Sequence, residues 1–483
     1  MFNRRDFLQL SLSAASMPVF SDVYGQIGCP DESVDVLIVG AGGAGLSAAV
    51  SCHQHGYRSI LVLEKAPSIG GNTLLSSGLF NSVDPERQKL AGVNDSLELF
   101  KSQILREGDF KNRPSLVSLF CTRTYETMKW LESLSMSFKS EINEGYGALF
   151  PRSHLPVEPH GTGYIKALNN YITNHRIEIR TNSRMLDILR DKETGVVSGC
   201  LVEEKNHIRT IRIKEALFLG AGGFAQNNIM CTICDPRLEG LPSTNQPLAT
   251  GDALVAAIRA GAAVENLEYI ECIPGKLPGQ KERTVLHLFV GHMIWINREG
   301  KRFVAEDSRR DILREALLNQ PDRTCFALVD KRGFEFLDKE HRDGIVRSVE
   351  RGEAYTADTI TELAKQLLIP AEMTVETVKK YNQAVDEGTD KEFGKLRLLQ
   401  HIDTPPFFAC PQVMNRHYCV GGGVRINERT EVLDFQGKKI PKLYAGGEIT
   451  SGLHGTNRLG GNGIAEAIVF GREFGKVLGD KFL

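Results

Sequence analysis

Apolar and β-branched residues crowd Ser33–Val39 (SVDVLIV) with little polar alternation, which predicts a strand buried on both faces. The run passes directly into Gly40-Ala41-Gly42-Gly43-Ala44-Gly45, and the spacing beyond it predicts a helix to His55. A second strand is predicted over Ser59–Leu63, and Glu64 closes it. Strand, glycine turn and helix in this order, with a carboxylate ending the next strand, form the dinucleotide-binding arrangement. Gly40, Gly42 and Gly45 let a pyrophosphate reach the helix N-terminus, and Glu64 is placed to accept hydrogen bonds from a ribose.

The apolar runs VVSGCLVEE (196–204) and HIRTIRIKEALFLG (207–220) predict a hairpin whose second arm enters Gly220-Ala221-Gly222-Gly223. Lys442–Glu448 repeats the strand-into-glycine pattern, so the C-terminal segment is expected to complete the nucleotide fold. Between them, from about 268 to 418, charged helical stretches (TADTITELAKQLL, 356–368; TVETVKKYNQAV, 374–385) mix with short strands and read as an inserted domain. No internal repeat or low-complexity tract interrupts this plan.

At 483 residues the chain is long enough for two or three domains with full cores. Its 41% hydrophobic and 24% charged residues are ordinary for a soluble globular protein. A net charge of −2, with no basic stripe interleaved with aromatics, gives no reason to expect nucleic acid. The 47 glycines cluster in GG and GxG pairs, as tight ligand loops require. Asn3-Arg4-Arg5-Asp6-Phe7-Leu8, followed by a mildly apolar run to Phe20, resembles a twin-arginine export signal over residues 1–30. That run is too short and polar for a membrane span, so no integral span is expected. Twin-arginine export carries folded proteins, which suits a chain that loads its cofactor in the cytoplasm, and the expected location is the periplasm. Gln26-Ile-Gly-Cys29 is a poor lipobox. The ten cysteines show no zinc spacing and no metal site is expected; Cys231-Thr-Ile-Cys234 precedes aspartate, so no haem c attachment motif is present. A redox dithiol there and buried small hydrophobes are both open readings.

The Gly447–Ala467 stretch (GEITSGLHGTNRLGGNGIAEA) sets Arg458 among glycines, and Asn462 and Gly463 open a predicted helix. Arginine offers a fixed charged fork for a carboxylate, and a helix N-terminus offers N–H groups to an electron-rich ring. A glycine-rich structural turn is the alternative.

Together these segments resemble the soluble fumarate reductase and flavocytochrome c flavoprotein family, related to the flavoprotein subunits of succinate dehydrogenase. The resemblance runs from Val34 to Phe474 through GAGGAG with Glu64, GGNT (70–73), NQPLATGDA (245–253), NREGKRFVAEDSRRD (297–311), HYCVGG (417–422) and LYAGGEITSGLHGTNRLGGNGI (443–464). It implies an α/β fold: a Rossmann-like FAD-binding domain over 31–267 and 419–483, with an inserted α+β capping domain over 268–418. It implies FAD, held by Gly40, Gly42, Gly45, Glu64, Lys65, Gly71, Asn72, Thr73, Gly78, Ala221, Gly222, Asp252, Gly447, Glu448, Asn462, Gly463 and Ile464. The membrane-bound relatives use a histidine to bind flavin covalently; Asn72 stands at that position, and an amide implies non-covalent FAD. Arg310 matches the family's proton donor, and His417 and Arg458 match its carboxylate ligands. The implied chemistry is C=C reduction, with hydride from flavin N5 to one alkene carbon and a proton from Arg310 to the other. His454 and Gly461 are further expected pocket residues.

The chain departs from the fumarate-specific pattern at two pocket positions. YIECIPG (269–275) places Ile273 where those members carry a carboxylate-binding histidine, and SSGLFNS places Phe80 where they carry a methionine. An apolar surface there would leave a second carboxylate buried and unpaired. The family's Glu and Arg proton relay is replaced by Leu286 and Phe289, with His287 and His292 the nearest titratable candidates. The expected activity is therefore periplasmic reduction of an α,β-unsaturated monocarboxylate (acrylate, methacrylate or aryl-acrylate type), with electrons from a separate multihaem cytochrome c. Alternatives are a fumarate reductase with an altered pocket, a ketosteroid-type FAD dehydrogenase, and a non-enzymatic flavin electron-transfer protein.

Overall fold

The computed structural model describes residues 32–281, 284, 286 and 290–482. The twin-arginine segment, Cys29, His287 and Phe289 lie outside the described residues. Two compact units divide the chain: one takes in the chain up to Glu239 with Asn245–Ile270 and Tyr418–Leu483, the other Gly240–Thr244 and Glu271–His417. The sequence pattern assigns 240–244 to the first domain. Those residues join the second unit because they pair with the end of a long strand there: Arg416 N–H donates to Pro242 O at 2.8 Å and Thr244 N–H to Arg416 O at 3.0 Å.

In the first unit the strands lie in the order Glu431–Leu433, Lys439–Ala445, His207–Leu219, Glu32–Val39, Ile60–Leu63, Glu178–Arg180. All neighbours are parallel except the first pair. Val36, Leu37 and Ile38 are fully buried, which is why that strand is apolar on both faces. Ser183–Arg190 and Val197–Glu204 extend the sheet as an antiparallel meander off His207–Leu219. Helix Gly43–Gln54 follows the first strand, and the C-terminal helix Asn462–Gly479 lies directly on it. Their backbones approach closely: a Cβ at Gly471 would stand 2.2 Å from Ala44 O. Ser51 Oγ–H crosses the seam to Arg472 O at 2.7 Å. This contact draws residue 462, distant in sequence, to the nucleotide-binding turn.

In the second unit a sheet runs Ile270–Gly275, Phe407–Cys419, Thr324–Val329, Ile294–Ile296, with Tyr355–Ala357 also pairing with Phe407–Cys419. Helices Ile360–Gln366 and Ala371–Glu387 cover a core that includes Ile294, Phe326, Leu363, Tyr381 and Phe407. The helix expected over 356–368 starts only at Ile360, because Thr359 caps it (its Oγ1 accepts from Glu362 N–H at 3.1 Å) and Thr356 is spent on the strand. Beneath this layer Glu306 and Lys395, both fully buried, form an ion pair at 3.2 Å. Arg302 joins Glu306 to Asp390, at 2.9 Å from each.

Among the described residues no helix is long and apolar enough to cross a membrane. The described cysteines are all free, and all but Cys234 are buried.

Candidate active site

The first strand ends in a turn that only glycine can make. Gly40 has φ +100°, and a Cβ at Gly45 would stand 1.7 Å from Gly40 O. Gly42 caps helix Gly43–Gln54 in extended geometry, leaving first-turn N–H groups directed out of the helix end. Gly43 N–H is taken by Thr73 Oγ1 at 3.0 Å. Glu64 is held at the end of the second strand by Ala41 N–H and Ala66 N–H, each at 2.8 Å. Each carboxylate oxygen keeps a further lone pair for a ribose hydroxyl.

Lys65 and Asp252 meet each other, at 3.1 Å, with Arg184 Nε also on Asp252 at 2.7 Å. Burial raises the Asp252 carboxyl, but Lys65, Thr250 and Arg184 outweigh it and hold it below the usual carboxylate range. Asn72 sits in the short helix Gly71–Leu75 and clamps the 245–246 backbone turn: its Oδ1 accepts from Gln246 N–H at 2.8 Å and its Nδ2 donates to Asn245 Oδ1. Gly78 is needed for packing, since a Cβ there would stand 2.4 Å from His160 O. Its carbonyl accepts from Tyr164 O–H at 2.8 Å.

Glu448 bridges two glycine loops. Its Oε1 accepts from Cys419 N–H at 3.0 Å, and Gly223 N–H also donates to the carboxylate. Burial pushes this carboxyl up to about 7 against the two amides and the Arg458 charge. The Gly222 face opposite is open, its nearest neighbour being Glu448 Oε2 at 3.9 Å from a hypothetical Cβ. Gly447 nests against the nucleotide-binding helix, 3.2 Å from Ala44 Cβ by the same measure.

The glycine-rich C-terminal stretch ends in a polar cluster. Gly461 (φ +88°) caps helix Asn462–Gly479, and Asn462, fully buried, accepts from Asn81 Nδ2 at 2.8 Å. Among the described residues the Nδ2 of Asn462 has no partner, nor has the Nδ1 of His454. Arg458 lies over the Tyr418 ring, 4.3 Å from its centroid, and against Gly463. Tyr418 O–H donates to Glu466 Oε2 at 2.5 Å, and His454 Nε2 meets the same oxygen at 3.0 Å. Burial, then the Glu466 and Glu448 charges, pushes the Tyr418 hydroxyl well up. Ile464 is buried beside them.

In the second unit, Arg310 opens helix Arg310–Leu318, and its Nη1 donates to Glu271 Oε1. Both side chains are buried, with 9% and 2% of their surface exposed. Glu271 and Ile273 alternate with Cys272 on strand Ile270–Gly275, so they share one face of it. His417 lies two residues before the end of the neighbouring strand Phe407–Cys419, and a 2.7 Å hydrogen bond joins its Nδ1 to Thr244 Oγ1.

The expected residues thus fall into two groups. Arg458, His454, Gly461 and the cofactor residues belong to the first unit; Arg310, His417 and Ile273 belong to the second. Phe80 is fully buried, packed on Phe138 and Tyr164 with ring centroids 6.1 and 6.3 Å away. No part of it reaches solvent. Leu286 is also fully buried. His292 is stacked on Phe336 and bonded to Gln400 at 2.9 Å; among the described residues, strand residue Glu271 places a titratable group on Arg310. Glu271, Thr244, Tyr418 and Glu466 were not singled out from the sequence. Periodicity points to two of them: Glu271 stands two strand positions before Ile273, and Glu466 stands one helical turn after Asn462.

These residues fit a flavin dinucleotide. The glycine turn, the Glu64 carboxylate, the open side of Gly222 and the unpartnered buried donor of Asn462 are what such a ligand needs. Among the described residues no group of three or more His, Cys, Asp or Glu is placed to hold a metal ion.

The FAD binding domain family model matches residues 35–464. The chain is 35% identical to a fumarate reductase (cytochrome) of Shewanella frigidimarina, over 92% of this chain and 77% of that protein. It is 28% identical to the acrylate reductase flavoprotein subunit of Shewanella woodyi, over 93% of this chain and 92% of that one. Its structure resembles the open conformation of a flavocytochrome c3 fumarate reductase, with a TM-score of 0.79 and 29% identity, covering 100% of this chain and 82% of that one. The chain belongs to the FAD-binding family, is homologous to the flavocytochrome c fumarate reductases and related acrylate reductases, and is an FAD-dependent oxidoreductase acting on CH–CH groups.

Proposed function

We propose that this enzyme reduces the C=C bond of an α,β-unsaturated monocarboxylate of the acrylate, methacrylate or aryl-acrylate type. One observation carries the reading. On strand Ile270–Gly275 the Arg310-binding Glu271 shares its face with Ile273, an apolar side chain. A second substrate carboxylate against Ile273 would be buried without a partner, at a cost of several kcal/mol. The acrylate-reducing relative acts on a molecule with one carboxylate.

FAD, when bound and reduced, supplies the hydride equivalent. The protein's side chains do the rest. Arg458, steadied on the Tyr418 ring, binds the carboxylate through its guanidinium fork. His417, oriented through Nδ1 by Thr244, polarises it. Drawing charge toward the carboxylate stabilises the enolate that develops at the adjacent carbon. The Arg310 guanidinium gives a proton to that carbon.

Export to the periplasm is proposed on the Asn3–Leu8 pattern, and a separate multihaem cytochrome c is proposed as electron donor, in line with the cytochrome character of the fumarate reductase relative. The test of substrate class uses dithionite-reduced methyl viologen. Oxidation driven by methacrylate or cinnamate, with fumarate far slower, is expected. Faster turnover with fumarate would overturn the one-carboxylate reading.

A further inference from the structure

We propose that Glu271 is the proton relay that recharges Arg310 between turnovers, an inference that rests on the C=C reduction proposed above. An arginine with a solution pKa above ~12 gives up a proton only to a strongly basic enolate, and it must then be recharged before it can act again. Among the described residues, the Glu271 carboxylate is a titratable group in contact with it, through Nη1 and Oε1.

Among the described residues, two nearby arginines have acid partners of their own. On the same helix Arg309 pairs with Asp311 at 2.7 Å, and Arg314 pairs with Glu315. Position 286, where the family pattern calls for a titratable side chain, is a fully buried leucine. Glu271 reaches Arg310 from a different element, strand Ile270–Gly275, and takes that role.

The energetics favour a relay. At rest the buried pair is electrically neutral. Once the guanidinium has protonated the substrate, the pair carries a net negative charge in a site with 9% and 2% exposure, which burial strongly disfavours. A proton taken up by Glu271 restores neutrality, and its hydrogen bond to the guanidine returns that proton to Arg310. The balance closes. The substrate gains the hydride equivalent and one proton from Arg310; Glu271 takes one proton from water and passes it to the guanidine. One solvent proton is consumed per C=C bond reduced, and both side chains end as they began.

The test compares E271Q with wild-type holoenzyme. Glutamine keeps an acceptor for Arg310 Nη1 but has no proton to pass. Pre-reduced E271Q is expected to complete its first turnover of methacrylate near the wild-type rate and then stall, with steady-state kcat down about 10²-fold. KM and FAD content should stay near wild type, while the unfolding midpoint falls because Arg310 loses its buried counter-charge. E271D, one methylene shorter but titratable, should recover a pH-dependent steady state. Equal rates for E271Q and wild type would overturn the relay. So would equal slowing of first and later turnovers, which a merely orienting residue produces. If E271Q does not fold, the same comparison of first and later turnovers in E271D decides: unequal slowing supports the relay and equal slowing refutes it. A wild-type enzyme that reduces no unsaturated carboxylate fails the functional reading itself, and the relay falls with it; a wild type that turns over beside an unimpaired E271Q fails the relay alone.

Discussion

Replacing Glu448 by glutamine should stabilise the cofactor-free protein, and only above acidic pH. The carboxyl is 8% exposed, accepts from Cys419 N–H and is raised from an ordinary 4.5 to about 7, chiefly by burial. Because the folded value lies above the unfolded one, the folded state binds the proton more tightly. The associated stability is complete below about pH 4.5 and is lost as pH rises through about 7. At about 1.4 kcal/mol per pH unit, the gap amounts to about 3 kcal/mol. The glutamine keeps an acceptor for the Cys419 amide and has no charge to bury. Urea unfolding of FAD-stripped wild type and E448Q from pH 4 to 9 measures the difference. The two should be alike near pH 4, diverge between pH 4.5 and 7, and stay about 3 kcal/mol apart above pH 8, with E448Q the more stable. Parallel stability curves over that range would refute the reasoning, because they would mean that the carboxylate is solvated or fully compensated when charged.

Two further outcomes follow from other buried groups. E306Q should destabilise the second unit by about 3–5 kcal/mol, since it takes the buried counter-charge from Lys395 and leaves Arg302 with Asp390. Fluorescence of Trp295, whose backbone N–H donates to Glu306, reports the loss in a W130F background, and E306Q/K395M should recover part of it. Acid precipitation of the holoenzyme should leave its yellow colour in the supernatant, because the Asn72 amide is tied to Asn245 and Gln246 and is not a nucleophile that could bond to a flavin; a coloured pellet would contradict this.

Much of the cofactor fold was legible because its signals are local. A strand buried on both faces must be a continuous apolar run, and a turn that brings a Cβ within 1.7 Å of a carbonyl must be glycine, so Ser33–Gly45 declares itself. The opening of the last helix at Asn462 was legible for the same reason, from the glycines before it. The partners of the site residues were not. Nothing in the residues around Arg310 announces Glu271, and nothing near Arg458 announces that Glu466 takes hydrogen bonds from both Tyr418 and His454. Phe80 shows the converse: read along the chain it is an apolar substitution in a pocket segment, yet in space it is enclosed by Phe138 and Tyr164.

By itself, the sequence determined the class of fold, the FAD turn and the identity of the charged side chains, since each depends on backbone conformation within a few residues or on residue chemistry alone. Only the tertiary structure decided what each charge faces. It set Arg310 on a strand carboxylate, laid Arg458 over Tyr418 and left Asn462 with an unpartnered donor. The physical reason is that burial and pairing energies depend on distances across the fold. Those distances are set by the sheet register and by how closely helix Asn462–Gly479 packs on helix Gly43–Gln54, and no local stretch of sequence encodes either one.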